Sequence, residues 1–273
     1  MKLRIATYNI HKGVSSFGRH SRIHGIKNAV SLLDADLIFL QEVQGRHDLH
    51  ARTHDQWPED GQHDFLAGES HEAAYGMNAV YDHGHHGNAL LSRFPITRVN
   101  NYDVSDHAYE QRGILHAVVS INGTEVHCFV IHLGLFAVSR RRQIAKLVMQ
   151  IKRDLPDNAP LIIAGDFNDW TQRLSRVMYQ ELAVSEVFDQ RVSKASKLAS
   201  TAFGRRSNFI LSKVQWPRWQ SHAKTFPAAL PWLSLDRVYQ RGFQIHEALV
   251  LRGAPWDTLS DHVPIVASLS LRS

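Results

Sequence analysis

The chain has 273 residues, a formal net charge of +5 and a pI near 9.4, with aliphatic runs spread from end to end and no Pro/Gly/Ser-rich linker. A single domain over 1–273 with a large buried core is expected, and the moderate positive charge favours an anionic partner without specifying nucleic acid. The lone Cys128 excludes a disulfide within the chain, and its place inside an apolar run assigns it to packing.

In chain order, the opening residues MKLRIATYNI turn polar too soon for a signal sequence, and no apolar run approaches about twenty residues, so a cytoplasmic protein is expected. Leu3, Ile5 and Thr7 alternate with Arg4, Ala6 and Tyr8, which predicts a strand delivering Asn9 to its carboxyl end. Ser21 is placed to N-cap a helix whose inner face is Ile23, Ile26, Val30 and Leu33. A second strand over 36–41 stops at Glu42. Residues 43–76 are polar, rich in His and weakly periodic, and read as a long loop. With His83, His85 and His86 they invite a zinc reading, but their spacing fits no closed zinc site and no cysteine accompanies them. Solvent-facing loop histidines are the favoured reading, with substrate contact second.

Strands follow over 79–82, 88–92, 96–102 and 112–121, and Asn122-Gly123 signals a hairpin into 125–131. Hairpin pairing would bring Arg112 and His132 to one end, a cation and an imidazole suited to a phosphate. Ser139 is expected to cap a helix with Arg140, Arg141, Arg142, Lys146, Lys152 and Arg153 outside and Ile144, Leu147, Val148 and Ile151 inside. Such a basic face is read first as solvated and second as a polyanion contact. Residues 161–164 form a strand buried on both faces, followed by Gly165-Asp166-Phe167-Asn168-Asp169. If the extension continues, Asp166 and Asn168 project from the same side. An ordinary strand-to-turn exit would explain this stretch alone, but apolar runs end in polar groups again at Asn9, Glu42, His132 and Asp261-His262. Further on, 171–182 reads as a helix, 192–206 as an irregular loop, and 235–239 and 263–269 as strands. Trp216, Trp219, Phe226, Trp232 and Trp256 fall on loops, with packing the first reading and stacking on bases or a membrane interface the second.

Six short motifs, TYNI at 7–10, QEV at 41–43, IHLGL at 131–135, GDFND at 165–169, LDRVY at 235–239 and SDHVP at 260–264, resemble in their order the endonuclease/exonuclease/phosphatase superfamily. That group includes deoxyribonucleases, abasic-site endonucleases, neutral sphingomyelinases and inositol polyphosphate phosphatases. The resemblance implies an α+β fold, a four-layer α/β/β/α sandwich of two mixed β-sheets with helices outside and the site at one end of the strands. It implies a divalent-metal-dependent phosphodiesterase using Mg²⁺ or Mn²⁺, with an activated water attacking a phosphate ester in line. By resemblance Glu42 binds the metal with Asn9 and Asp261 close by, Asp166 orients and deprotonates the water, and Asn168 holds a phosphoryl oxygen. His262 contacts the phosphate with Asp236 fixing its tautomer, His132 matches a histidine that is a general acid in some branches, and Arg112 resembles a phosphate-contacting arginine. A nuclease-type activity on nucleic acid is the leading reading. The alternatives are a phospholipase C-like or phosphatase activity on a lipid or inositol phosphate head group, and a non-catalytic binding module. The last is disfavoured because none of Glu42, Asp166, Asn168, Asp236 and His262 is lost. The chain departs from the family pattern at His11-Lys12-Gly13, where many relatives carry a carboxylate or amide two places after the first Asn. No counterpart of the abasic-site tyrosine is present, and Pro231-Trp232 before LDRVY is similar to the inositol phosphatase signature without its Trp-Thr-Asp order.

Overall fold

The structure is a computed structural model and describes residues 1–15, 18–107, 109–189 and 223–272. The loop expected over 192–206, with Trp216 and Trp219, lies outside the described residues. One six-stranded sheet is ordered β11 (Phe243–Val250), β12 (Ile265–Leu271), β1 (Leu3–Asn9), β2 (Leu37–His47), β4 (Gly84–Ser92) and β3 (Glu72–Tyr81). The other is ordered β5 (Ile96–Asp103), β6 (Gly113–Ile121), β7 (Thr124–His132), β8 (Leu161–Asp166), β10 (Asp236–Arg241) and β9 (Ser185–Glu186). Both are mixed, because β1 runs parallel to β2 and β7 to β8 while the other pairings are antiparallel.

The layers follow from the period of two in each strand. Ile5, Leu37, Phe39 and Leu90 of the first sheet meet Leu115, Ala117, Cys128, Val130, Ile162 and Ala164 of the second in a central core. The intervening residues face outward. Ala6, Tyr8, Ile38 and Leu40 pack on α1 (Ile23–Leu33) and α3 (Gln62–Ala67). Phe129, Ile131 and Ile163 pack on α4 (Ala137–Asp154) and α5 (Arg173–Leu182). The inner strands are therefore covered on both faces, which is why β1 and β8 are buried at nearly every position and β8 reads as an unbroken apolar run over 161–164. Each fully buried aliphatic side chain contributes roughly 1.5–3 kcal/mol. The expected hairpin is present, with Asn122 and Gly123 both at positive φ, and Cys128 lies fully buried in the central core. Among the described residues no helix is long and apolar enough to cross a membrane.

Several expectations are corrected. Residues 43–76 are not one loop: β2 runs on to His47, and α2 (Asp48–Thr53), α3 and the start of β3 follow. Glu42 does not end its strand but sits where the register slips between Leu40 and Val43, at φ 55°. The slip breaks the alternation, and helices of six residues are too short to show a helical period. Ser21 does not cap α1, whose preceding residue is Arg22 with no capping side chain, because Ser21 instead bridges to Val14. Ser139 lies inside the first turn of α4 and donates its hydroxyl to Asp106 at 2.8 Å, tying the helix to a loop. Arg140 is not on the outer face but buried, with Nη1 donating to the carbonyls of Gly134 and Leu135 at 3.3 and 2.5 Å. On the outer face, Arg142 pairs with Asp106 at 3.0 Å and Lys152 with Glu181 at 2.6 Å.

A buried pair of histidines escaped sequence reasoning. His116 of β6 stacks on Phe129 and bonds through Nε2 to His127 Nδ1 at 3.0 Å. Burial, reinforced by its neighbour His127, pushes His116 down to about 4, and burial also lowers His127. Because the folded pKa lies below the unfolded value near 6.5, the stability contribution is complete above that pH and is lost as the pH falls toward 4. Between pH 7.5 and 5, urea unfolding should show the wild type losing about 2 kcal/mol more than His116→Gln. An equal loss in both proteins would refute the assignment.

Candidate active site

Backbone register gathers the polar strand ends. His132 and Asp236 are both register partners of Asp166, so the neighbouring strands β7 and β10 bring their side chains to the last residue of β8. Across the sandwich, β1 places Asn9 beside β2 at Gln41, and Ser260 Oγ donates to the Asn9 carbonyl at 2.7 Å, fastening the Asp261-His262 loop to β1. Gly165 has φ 143°, and a Cβ there would stand 1.9 Å from the Ile131 carbonyl oxygen, so only glycine permits this approach beside Asp166. Beyond Asp166 the extension does not continue, because Asn168 is at φ 48°. Its amide still returns to the site: the backbone N–H donates to Asp166 Oδ1 at 2.8 Å and Nδ2 to the Leu133 carbonyl at 2.9 Å.

Asp166 is the hub. Its Oδ2 accepts from Asn9 Nδ2 at 3.3 Å and lies 3.7 Å from His132 Nε2 and 3.8 Å from His262 Nε2. Burial raises its carboxyl to about 6, with His262 opposing the rise and Asp236 reinforcing it. His262 Nδ1 pairs with Asp236 Oδ2 at 2.8 Å. Burial alone would lower that imidazole, but the carboxylates of Asp236, Asp166 and Asp261 outweigh it and raise His262 to about 10. His132 behaves in the opposite way, held well below the ordinary imidazole range by burial and then by Arg112. At neutral pH one histidine is therefore a cation and the other is neutral. Arg112 and Asn168 meet at Leu133, whose carbonyl accepts from Arg112 Nε at 3.3 Å, so the expected clustering of Arg112 with His132 is present.

Two further carboxylates complete the site. Glu42 Oε1 accepts from Asn9 Nδ2 at 3.4 Å, and its Oε2 lies 3.7 Å from Lys12 Nζ. Asp261 Oδ1 is 2.9 Å from His11 Nδ1 and accepts from Ser260 Oγ at 3.3 Å, so its side-chain contacts run to those residues rather than to Glu42 or Asn9. Asp166, Asp236 and His262 have ligand atoms within 4.8 Å of one another, but His262 is positively charged and engaged by Asp236. A hard divalent ion fits better at the oxygens of Glu42 and Asp166, which converge on Asn9. Asp166's raised pKa points the same way, since burial with Asp236 and Glu42 nearby leaves negative charge that a cation would relieve. A cleft of about 510 Å³ lined in part by Arg19, Arg22 and Thr258 reaches this end of the molecule at His11, Ser260 and Asp261.

Sequence reasoning gave Lys12 no role of its own, and read His86 first as a solvent-facing loop histidine and Phe226 first as packing, with substrate contact and base stacking second. The His86 imidazole takes charge effects from Lys12, Glu42 and Arg112, which places it beside the site, and its Nδ1 is buried with no partner. Phe226 sets its ring 5.0 Å from that of His262, while Trp256 packs edge-on to Tyr8 and Trp232 is exposed. Phe226 carried no sequence signal, being a loop aromatic among others. Lys12 did, as part of the altered stretch after Asn9.

The sequence profile of the Endonuclease/Exonuclease/phosphatase family matches residues 6–262. The chain is 36% identical over 271 residues to the uncharacterized protein YbhP of Escherichia coli (strain K12), covering 98% of this chain and 96% of that protein. Among solved structures it resembles D. rerio TDP2 complexed with single strand DNA product, at TM-score 0.66 and 16% identity over 98% of this chain and 99% of that one. It also resembles a mannosyl-6-phosphatase of Bacteroides thetaiotaomicron, at TM-score 0.68 and 17% identity over 98% and 100%. At these identities the structural likeness speaks for the fold.

The geometry of the Asp236–His262 pair gives a direct test. In the metal-free protein, Asp236→Asn should lower the His262 titration midpoint by more than about one unit, because burial then acts against a weaker opposing charge. Imidazole ¹⁵N shifts followed from pH 5 to 11 measure this. An unchanged midpoint would show that Asp236 does not hold the charge.

Proposed function

Because the chain belongs to the endonuclease/exonuclease/phosphatase family, we propose that it is a divalent-metal-dependent phosphodiesterase, acting as a single domain over 1–273, with nucleic acid as its leading substrate class. Family membership itself implies metal-dependent phosphoester hydrolysis. The observation that carries the proposal is the convergence on Asp166 Oδ2 of Asn9, His132 and His262, from both sheets and the loop before β12. Without a metal, burial raises this carboxyl to about 6, so Asp166 is ionised at neutral pH and placed to accept a proton from an attacking water. His262, kept charged by Asp236, directs Nε2–H toward a phosphoryl oxygen and stabilises charge that grows in the transition state. Asn168 and Arg112 hold the other phosphoryl oxygens. His132, being neutral, orients by hydrogen bonding rather than supplying a proton at rest. A Mg²⁺ or Mn²⁺ ion held at Glu42 beside Asp166, with Asn9 and, once released from His11, Asp261 as further donors, would supply neutralisation of phosphoryl charge.

The nucleic-acid reading is supported by the net charge of +5 and by likeness to a protein solved with single strand DNA product. Likeness to a mannosyl-6-phosphatase supports a monoester as the second reading. Initial rates with Mn²⁺ on bis-nitrophenyl phosphate, nitrophenyl phosphate, single-stranded DNA and phospholipid vesicles separate these readings. DNA and the diester should be turned over faster than the monoester; turnover of the monoester alone would replace the proposal with a phosphatase, and of vesicles alone with a lipid hydrolase.

Activity should vanish in excess chelator, and Glu42→Gln should weaken Mn²⁺ binding at least about tenfold, or ~1.4 kcal/mol. Full hydrolysis in chelator would sink the metal-dependent reading. Since Asp236 acts through His262, adding Asp236→Asn to His262→Ala should change kcat by less than about threefold, as expected for residues that work as a unit.

A further inference from the structure

Three successive residues, His11, Lys12 and Gly13, have φ of 46°, 58° and 69°. Glycine adopts that region freely, but a side chain with a Cβ does so at a cost, and two such residues in a row need outside support. The support is present. The His11 N–H donates to Asn9 Oδ1 at 3.1 Å and the Gly13 N–H to the Ile10 carbonyl at 2.9 Å. Gln62, 2% exposed, donates Nε2 to the Lys12 carbonyl at 2.9 Å while its Oε1 accepts from the Gln44 N–H at 2.9 Å. A buried amide thus locks the turn to β2, the strand that carries Glu42.

Strain held in place by its surroundings marks functional positions, and the question is what this turn achieves. It brings Lys12 Nζ to 3.7 Å from Glu42 Oε2, with 39% of the lysine side chain exposed. An ion pair that long and that open to water returns too little to explain the conformation. The ammonium also faces the rest of the site, since its charge and that of Arg112 both act on His86 and His132. Lys12 and Arg112 therefore bring positive charge to the histidine side of the carboxylates.

We infer that Lys12 is a phosphate-binding residue of this site, its ammonium contacting a non-bridging oxygen of the substrate's phosphoryl group. The inference rests on the reading of the site as a phosphoester hydrolase. It gives a purpose to the departure at His11-Lys12-Gly13. The turn supplies a point charge one place after His11, the position at which the chain departs from that pattern.

Glycine at position 12 removes the charge and suits the backbone, so strain and function separate in one variant. Calorimetry with inorganic phosphate, on the full chain in excess Mn²⁺, should show Lys12→Gly binding phosphate at least about tenfold more weakly, the size expected of one charge-assisted contact. Its thermal midpoint should rise. Lys12→Asn, which also tolerates the left-handed region, should repeat the loss, and Lys12→Arg should recover affinity to within about threefold of wild type. Phosphate affinity in Lys12→Gly within twofold of wild type overturns the inference and leaves the phosphoester reading standing. A wild type that binds no phosphate in Mn²⁺ overturns both.

Discussion

Everything at the site depends on keeping carboxylates charged where water has been excluded. Asp166 and Asp236 are each almost fully buried, and an isolated buried carboxylate takes up a proton rather than remain ionised. The protein counters this with one imidazolium, His262, bonded to Asp236 at Nδ1 and facing Asp166 at Nε2. The imidazolium in turn opposes the rise that burial imposes on Asp166. Asp166 still ends near 6, because a single cation does not balance Asp236, Glu42 and its own burial. On the proposed reading, that remaining imbalance would suit a proton acceptor and attract a divalent ion.

Such an arrangement has to be held by something stronger than mutual attraction, and the two sheets do this. Register sets His132, Asp166 and Asp236 side by side on three hydrogen-bonded strands, so none can relax without shifting a ladder. The backbone exceptions lie along the same rim. Gly165 passes close to the Ile131 carbonyl, while Glu42 and Asn168 adopt positive φ as the chain leaves regular pairing. The central core, with Phe39, Leu115, Cys128 and Ile162 fully buried, fixes the strands from which these exceptions depart. Rigidity in the core and strain at the rim are two parts of one device.

Much of this was legible in the sequence, because burial on both faces writes apolar runs and the runs stop at the site. Asn9, His132 and Asp166 could be located as strand exits, and the hairpin at Asn122-Gly123 correctly placed Arg112 with His132. Glu42 was found for a partly mistaken reason, since β2 does not end there but bulges. The strand pairing between 43 and 47, the short α2 and α3, and the role of Gln62 were not legible, because a register slip erases alternation and six residues cannot show a helical period. Arg140 was misplaced since its type indicates solvent, whereas two carbonyls at the end of β7's loop pull it inward. For Arg140 a tertiary partner overrode a local preference; for the others the local pattern was too short or too irregular to read.

The distribution of positive charge bears on how a substrate would be recognised. The cationic face of α4 reads in sequence first as a solvated face and second as a polyanion contact, and Arg142 and Lys152 on it carry ion pairs with Asp106 and Glu181. Those pairs reduce the charge that the face could offer to the long-range phosphate contacts that dominate binding to duplexes. Arg112 and Lys12 also carry carboxylate partners, Glu110 at 3.4 Å and Glu42 at 3.7 Å, but they lie half-buried where their charge acts on His86 and His132. Charge in a cleft with low-dielectric walls acts more strongly on one phosphate than the same charge spread over a helix. On the proposed reading, charge concentrated at the strand ends would grip one phosphate ester, and the groups attached to it would be met by the neighbouring walls, where His86, Phe226 and the cleft beside Asp261 lie.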